Sequence, residues 1–241
     1  CLRDKYGVTA AQLAFLPLGA DPDTAVYRLT ADDGAVYFVK LRSGAFNDVT
    51  VVVPHLLHQR GSKHVIAPLV TSDGCLYALC GAYAVVVHPF VEGRDGSQVE
   101  LPASQWTALG RALHSLHATE VPVELAQRIG RETFSAMSRE QVRAVLRECD
   151  VAVADAWPWP AVDDVAQALA GLLQSERTKV LGLADRAERL AADLAAKELP
   201  YVLCHADIHV WNLLVTAEGA LYIVDWDTLL FAPKERDLMF V

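Results

Sequence analysis

No run of apolar residues in this 241-residue chain approaches the ~20 that a membrane-spanning helix needs. The longest such stretch, residues 82–87, reads as a buried strand. No signal-peptide pattern opens the chain, and no repeat, low-complexity segment or flexible linker interrupts it. Positive charge is scarce: 21 Lys and Arg stand against 30 Asp and Glu, a formal net charge of −9. That balance excludes the electrostatic footprint of a nucleic-acid or anionic-membrane partner. It suits a cationic substrate, and it also serves plain solubility. The five cysteines, at positions 1, 75, 80, 149 and 204, form no Cys-x-x-Cys pair and have no histidine at metal-ligand spacing. The expectation is therefore a reduced, cytoplasmic protein with packed thiols and no zinc site. The chain begins with Cys1 instead of Met and stops within an apolar run at Phe240-Val241, so it reads as an internal piece lacking both ends of a longer protein.

What the sequence does contain is 53% hydrophobic residues, enough for one large domain or two lobes with their own cores. Residues 1–90 read mostly as strands. Residues 25–29 alternate, Ala31-Asp32-Asp33-Gly34 is a hairpin turn, and residues 35–41 return as a strand closed by Lys40 and Leu41. Residues 47–60 read as helical, with Pro54 either kinking or beginning the helix. Residues 65–70 and 75–79 flank the turn Ser72-Asp73-Gly74 as a second hairpin, and residues 82–93 run from a strand into a link. Periodicity then becomes helical. Trp106, Leu109, Leu113 and Leu116 share one face, with His114 and His117 near it as packing or surface residues. Ser138-Arg139-Glu140-Gln141 is a capping box ahead of Val142, Val145, Leu146 and Cys149. Ala156-Trp157-Pro158-Trp159-Pro160 breaks the helices, Val162 to Leu173 marks another, and residues 176–199 a longer one with Val180, Leu183, Ala184, Ala187, Leu190 and Leu194 inward. The resulting plan is α+β, with a small antiparallel-sheet lobe over residues 1–90 and a helical lobe over residues 91–241.

The chemistry concentrates near the end. Cys204-His205-Ala206-Asp207 is followed five residues after Asp207 by Asn212, then by a short apolar strand, the turn Thr216-Ala217-Glu218-Gly219, a second apolar strand and Asp225. A hairpin across that turn brings Asn212 and Asp225 side by side, with Asp207 facing them. An amide and a carboxylate make an oxygen site suited to Mg²⁺, and a further carboxylate can orient a hydroxyl, which is the equipment of phosphoryl transfer. The same three residues could instead be ordinary turn residues of an unrelated hairpin, just as Lys40 alone could be an edge-strand charge.

His205-Ala206-Asp207-x4-Asn212 with Ile223-Val224-Asp225-Trp226-Asp227 resembles the aminoglycoside phosphotransferase family, small-molecule kinases with a two-lobed protein-kinase-like fold. The resemblance runs from about Gly19 to Asp237. Arg42-Ser43-Gly44-Ala45-Phe46, Val87-His88-Pro89-Phe90 and Glu235-Arg236-Asp237-Leu238 look most like its spectinomycin phosphotransferases. The resemblance implies that Asp207 is the catalytic base, that Asn212 and Asp225 hold Mg²⁺, and that Lys40 meets the α- and β-phosphates of ATP or GTP. It implies backbone contacts to the base near Val87, His88 and Phe90, phosphate cover aided by Thr24, and a structural role for His205. Asp227 would support the metal site or substrate, and Asp237 would anchor the segment that follows it.

Two departures from the family pattern stand out. Residues 19–24 carry no glycine-rich phosphate fingerprint, and residues 47–60 contain no Glu to pair with Lys40, Asp48 being the only acid there. The function implied is transfer of the γ-phosphate to a hydroxyl of a small, cationic molecule, an aminoglycoside or aminocyclitol antibiotic first. Asp155, Asp163, Asp164 and Glu176 are candidates to receive its ammonium groups. The alternatives are a metabolic kinase for choline, homoserine or a sugar, and a catalytically silent nucleotide-binding pseudokinase. Neither the oligomeric state nor the preferred nucleotide follows from the residues.

Overall fold

Strand formation in the first ninety residues follows from β-branched and aromatic residues set between tight turns. In the computed structural model, which describes residues 1–19, 21–153 and 164–241, they form five antiparallel strands. These are β1 (Ala10–Leu16), β2 (Thr24–Ala31), β3 (Val36–Ser43), β4 (Ala78–Cys80) and β5 (Tyr83–Pro89), in the order β1-β2-β3-β5-β4. Gly34, at φ 86°, makes the turn between β2 and β3, and the Ala31 N–H donates to Ala35 O at 2.8 Å to close it. Because side chains alternate along a strand, the two faces of the sheet differ. One buries Leu29, Val39, Val85 and Val87 with Val8 behind the short helix α1 (Leu2–Tyr6). The other carries Arg28, Lys40 and Arg42, which pair in register with Phe38, Val26 and Thr24.

The chain divides into two compact units, residues 1–131 with 201–241 and residues 132–200. In the first, helix α2 (Val49–Gln59) buries Val49, Val53 and Leu57 at successive fourth positions. Pro54 lies inside this helix rather than at its start and is itself buried. Helix α3 (Ala103–His117) buries Leu109, Ala112, Leu113 and Leu116. Trp106 is 40% exposed, so the buried stripe of α3 begins one turn later than the apolar spacing indicates. These helices share a core with Leu203, Ile208, Leu213, Ile223 and Trp226.

That core is the platform for the remaining strands. Here β6 (Arg94–Asp95) pairs with β8 (Leu213–Val215), which pairs with β9 (Leu221–Ile223), while β7 (Val202–Cys204) pairs with β10 (Leu230–Ala232). Two glycines allow residues 93–96 to lie against β8. A Cβ on Gly93 would fall 2.7 Å from Val215 O, and one on Gly96 would fall 2.9 Å from Val210 O. The short helix α4 (Val123–Ala126) completes this unit.

Residues 65–70 do not form the expected hairpin with residues 75–79. Thr71 and Cys75 do close a turn, by a 2.8 Å bond from the Thr71 N–H to Cys75 O. Beyond it, β4 pairs only with β5, and the upstream segment bonds elsewhere: the Leu69 N–H reaches Val87 O, and His64 O accepts from the Ile223 N–H. Pro68 within the segment lacks the donor that a ladder needs. The cysteines also depart from expectation, since Cys1 and Cys80 form a disulfide with a Cα separation of 6.1 Å, leaving Cys75, Cys149 and Cys204 free.

The second unit holds α5 (Met137–Val153), α6 (Asp164–Ser175) and α7 (Arg177–Ala195). Helix α5 is already helical at Met137, ahead of the Ser138 capping box. Arg139 and Arg143 of α5 both reach Glu188 of α7, and Arg143 also reaches Asp185. Among the residues expected inward on α7, Ala184 is buried and Leu183 and Leu190 are exposed. The buried stripe of α7 is small, Ala184 and Ala191, which lets the helices approach closely. The Trp157–Trp159 breaker, Val162, Asp155 and Asp163 lie outside the described residues. No described helix is long and apolar enough to cross a membrane.

One buried titratable group sets a pH limit on the sheet. The residue His88 keeps some exposure, but its ring is enclosed, with Nδ1 3.2 Å from Ile66 O and Phe38 edge-on at 6.3 Å. Burial lowers its pKa from 6.5 to about 4. The folded state therefore favours the neutral ring, while the unfolded chain takes up a proton as the pH falls below 6.5. Stability that is complete above pH 6.5 is predicted to decline between 6.5 and about 4, by about 3 kcal/mol at most. His88→Phe is predicted to flatten that part of the pH profile in urea titrations. An unchanged slope would remove His88 as its source.

Candidate active site

The loop after β7 is shaped by backbone positions that its side chains then stabilise. Ala206 sits at φ 70° and Asp225 at φ 61°, both in the left-handed region. An Asp tolerates that region better than most residues, whereas an Ala there costs roughly 1 kcal/mol. Asp237, 1% exposed, holds the strained loop in place. Its Oδ1 accepts from the Ala206 N–H at 2.6 Å and its Oδ2 from the His205 N–H at 3.3 Å, while His117 Nε2 lies 2.8 Å from the same Oδ2. Asp237 thus anchors the His-x-Asp loop as well as its own 3₁₀ turn, Lys234–Leu238. His117, Cys204 and Asp237 converge closely enough to suggest metal ligands. The oxygens of Asp237 are already committed to protein donors, however, and burial pushes the Cys204 thiol up to about 12, so it stays protonated.

His205 is buried with its ring edge-on to Trp226 at 4.7 Å. Its Nε2 lies 3.0 Å from the carbonyl of Val224, and its Nδ1 accepts from the Asp207 N–H at 3.3 Å. Those partners define the Nε2–H tautomer, and burial pushes the pKa below the usual histidine value. A neutral, doubly bonded ring between the loop and β9 is structural. The Thr228 hydroxyl adds a bond to His205 O at 2.9 Å.

The hairpin forms as the sequence indicates. Leu213 faces Ile223, the Thr216–Gly219 turn closes at 3.0 Å, and the Val224 N–H donates to Asn212 O at 3.0 Å. Asn212 is buried, and its amide nitrogen lies 2.9 Å from Asp207 O, 3.2 Å from Asp207 Oδ2 and 3.2 Å from His209 Nε2. With the amide nitrogen turned toward Asp207, the Asn212 side-chain carbonyl is the atom left to meet a cation. Asp225 is half exposed at the end of the hairpin. Two hard oxygen donors on one hairpin fit Mg²⁺ better than a softer metal. His209, whose role the sequence did not suggest, places Nε2 3.4 Å from Asp207 Oδ2.

Lys40 reaches this group from β3. Its Nζ lies 2.6 Å from Asp227 Oδ2 and 3.5 Å from Asp225 Oδ1. Lys40 thus pairs with carboxylates of this loop and not with residues 47–60, where Asp48 pairs with Arg128 instead. Arg42 joins the cluster, with Nη1 3.2 Å from the same Asp227 Oδ2 and 3.0 Å from Asp21 Oδ2. Thr24, opposite Arg42 on β2, donates to Asp21 Oδ2 at 2.9 Å. The Asp23 N–H first, then the Thr24 hydroxyl and the nearby Arg42 charge, hold the Asp21 carboxyl below the usual range. At the end of β5 the structure restricts the expected base contacts: Val87 O accepts from Leu69, and the Phe90 N–H donates to Val36 O at 3.1 Å. The Phe90 N–H is thus already committed within the sheet, while the Val87 carbonyl keeps a second lone pair. Arg42 and Asp21 escaped the motif reading, although the spacing of Lys40 and Arg42, two residues apart on one strand, was a usable signal.

A protein-kinase-like α+β fold whose carboxylates and amide sit on a hairpin after a strained His-x-Asp loop is the architecture of a phosphotransferase. The chain matches the phosphotransferase enzyme family over residues 14–241, and it belongs to that family. It is 31% identical to spectinomycin phosphotransferase APH(9)-Ia, solved in complex with ADP and spectinomycin, with a TM-score of 0.89 over 100% of this chain and 70% of that one. An AMP-bound complex of the same enzyme superposes at 0.84, with 29% identity over 99% of this chain and 71% of that one. Protein StrN of Streptomyces griseus is 28% identical over 190 residues, which cover 76% of this chain and 56% of StrN. The chain thus spans little more than half the length of that relative. Ethanolamine kinase of Plasmodium vivax shares the fold at 14% identity, with a TM-score of 0.54 over 94% of this chain and 59% of that one.

Replacing Asp237 with Ala would strip the buried N–H groups of His205 and Ala206 of their acceptor. The predicted loss of stability is about 3–5 kcal/mol, because two buried donors and a histidine partner are orphaned at once. A denaturant midpoint within error of the wild type would show that the loop holds itself.

Proposed function

We propose that the chain is a kinase that moves the γ-phosphate of ATP or GTP to a hydroxyl of a small, polar, cationic molecule, an aminocyclitol of the spectinomycin type foremost. The observation that carries this reading is Asp207 held beside Asn212 by the 3.2 Å contact, with Lys40 on the Asp225 and Asp227 carboxylates. A pseudokinase is disfavoured because Lys40 has a carboxylate partner, though not the one a helix would supply. The likeness to APH(9)-Ia over the whole chain supports the aminocyclitol reading over choline, homoserine or sugar.

In this reading Asp207 orients the acceptor hydroxyl and takes its proton. Phosphoryl transfer asks the protein mainly for alignment and charge neutralisation. Asp207 is partly exposed, so a substrate can reach it, and Asn212 fixes its orientation. Lys40 neutralises nucleotide phosphate charge. Asn212 and Asp225 would hold Mg²⁺, which when bound supplies positive charge at the phosphate oxygens. Base contacts fall to groups near the end of β5 other than the Phe90 N–H. The net charge of −9 favours a cationic acceptor over an anionic one.

The test is ATP consumption by the full-length protein carrying this chain, against aminoglycosides, spectinomycin, choline and homoserine. Turnover is predicted with the aminocyclitol. Asp207→Ala is predicted to lower turnover by about 10²–10⁴-fold while nucleotide binding with Mg²⁺ stays near wild type. Full turnover by that variant would sink the assignment.

A further inference from the structure

We infer that Arg42 is a second phosphate-binding cation, which grips the terminal phosphates of the nucleotide beside Lys40 and replaces the missing glycine-rich loop. The inference rests on the kinase reading above and names a residue that reading does not use.

Three observations lead to it. First, Lys40 and Arg42 are two residues apart on β3, so the pleat sends both side chains to the same face. They converge on one atom, Asp227 Oδ2, with Lys40 Nζ at 2.6 Å and Arg42 Nη1 at 3.2 Å. The lysine already gives that oxygen a short, charge-assisted contact, so neutralising Asp227 does not require the arginine as well. Two cations gathered on one carboxylate oxygen match what a polyphosphate, with several charged oxygens, can use.

Second, the segment between β1 and β2 carries no glycine-rich run of the kind that cradles phosphate with backbone amides. Beyond its single glycine, Gly19, it offers Asp21, which accepts from the Asp23 N–H at 3.0 Å and the Thr24 hydroxyl at 2.9 Å. A carboxylate at that position repels a phosphate unless a cation offsets it, and Arg42 Nη1 lies 3.0 Å from Asp21 Oδ2.

Third, both carboxylate contacts of Arg42 run through Nη1. A guanidinium is a planar fork, and its other edge suits bidentate contact with phosphate oxygens. The side chain is 30% exposed, so a ligand can reach it without unfolding the sheet. Arg42 therefore bridges Asp21 to the carboxylate loop, and nucleotide binding would exchange the Asp227 contact for phosphate oxygens.

The test measures binding of ADP and AMP, each with Mg²⁺, by calorimetry on wild type, Arg42→Ala and Arg42→Lys. Arg42→Ala is expected to weaken ADP by about ten- to a hundredfold, the size of a charge-assisted contact, while AMP changes less than about twofold. Arg42→Lys is expected to recover part of the ADP loss, because the charge remains and the fork is lost. A thermal melt of each ligand-free variant reports folding. If Arg42→Ala melts early, the ADP-against-AMP comparison is read from Arg42→Lys and Arg42→Gln. Equal weakening of ADP and AMP, or no weakening of either, overturns the role of Arg42 and leaves the kinase reading intact. Failure of wild type to bind ADP, ATP, GDP or GTP at all overturns the kinase reading first, and this inference with it; if only the guanine nucleotides bind, the same comparison is made with GDP against GMP.

Discussion

The buried carboxylate of Asp237 is the contact on which the rest of the site depends. It accepts from the backbone of two consecutive loop residues, one of them an alanine in a left-handed conformation. That hold fixes where the chain leaves β7, and so where Asp207 points. From there the order of dependence is short. The carbonyl of Asp207 receives the amide of Asn212, Asn212 receives the backbone of Val224, and Asp225 follows. His205 bonds the same segment from below as a neutral ring. The loop is a chain of polar contacts in which each member sets the direction of the next, and the core of Ile208, Leu213, Ile223 and Trp226 keeps water from competing for them.

Above that loop the electrostatics are crowded. Asp21, Asp225 and Asp227 share two cations, Lys40 and Arg42. This network satisfies itself, and the sheet face and the carboxylate loop are in contact through its 2.6–3.5 Å ion pairs. A nucleotide with its metal would have to exchange contacts with groups that are already paired.

Much of this was legible in the sequence, and the parts that were not have physical reasons. The β2–β3 hairpin and the β8–β9 hairpin announced themselves because turn chemistry and alternation are local signals, as at Asp33-Gly34 and Thr216–Gly219. Asp207, Asn212 and Asp225 were legible for the same reason, lying within nineteen residues of one another. The segment at 65–70 misled because its apolar residues serve a core contact and a single bridge at Val65 instead of a strand. Trp106 and the large residues of α7 misled because periodicity identifies a face but not which end of it is covered. The partner of Lys40 was sought on the neighbouring helix and found on Asp227. No local pattern encodes a contact 187 residues away. The disulfide between Cys1 and Cys80 was likewise invisible to spacing, since nothing in sequence pairs two cysteines 79 residues apart.

The span between Lys40 and Asp227 also bears on how the protein acquires its site. Asn212 and Asp225 are thirteen residues apart and meet by closing one hairpin. Lys40 and Asp227 meet only after a segment of 187 residues has been closed. On loop-entropy grounds the second closure costs about 2 kcal/mol more than the first, and non-local contacts of this kind form late. During synthesis, moreover, Lys40 emerges long before its carboxylate partners exist. The strand that carries it must be held by its own sheet until Asp225 and Asp227 arrive. The oxygen half of the site is thus a local product of folding, and its cationic half is a product of assembly.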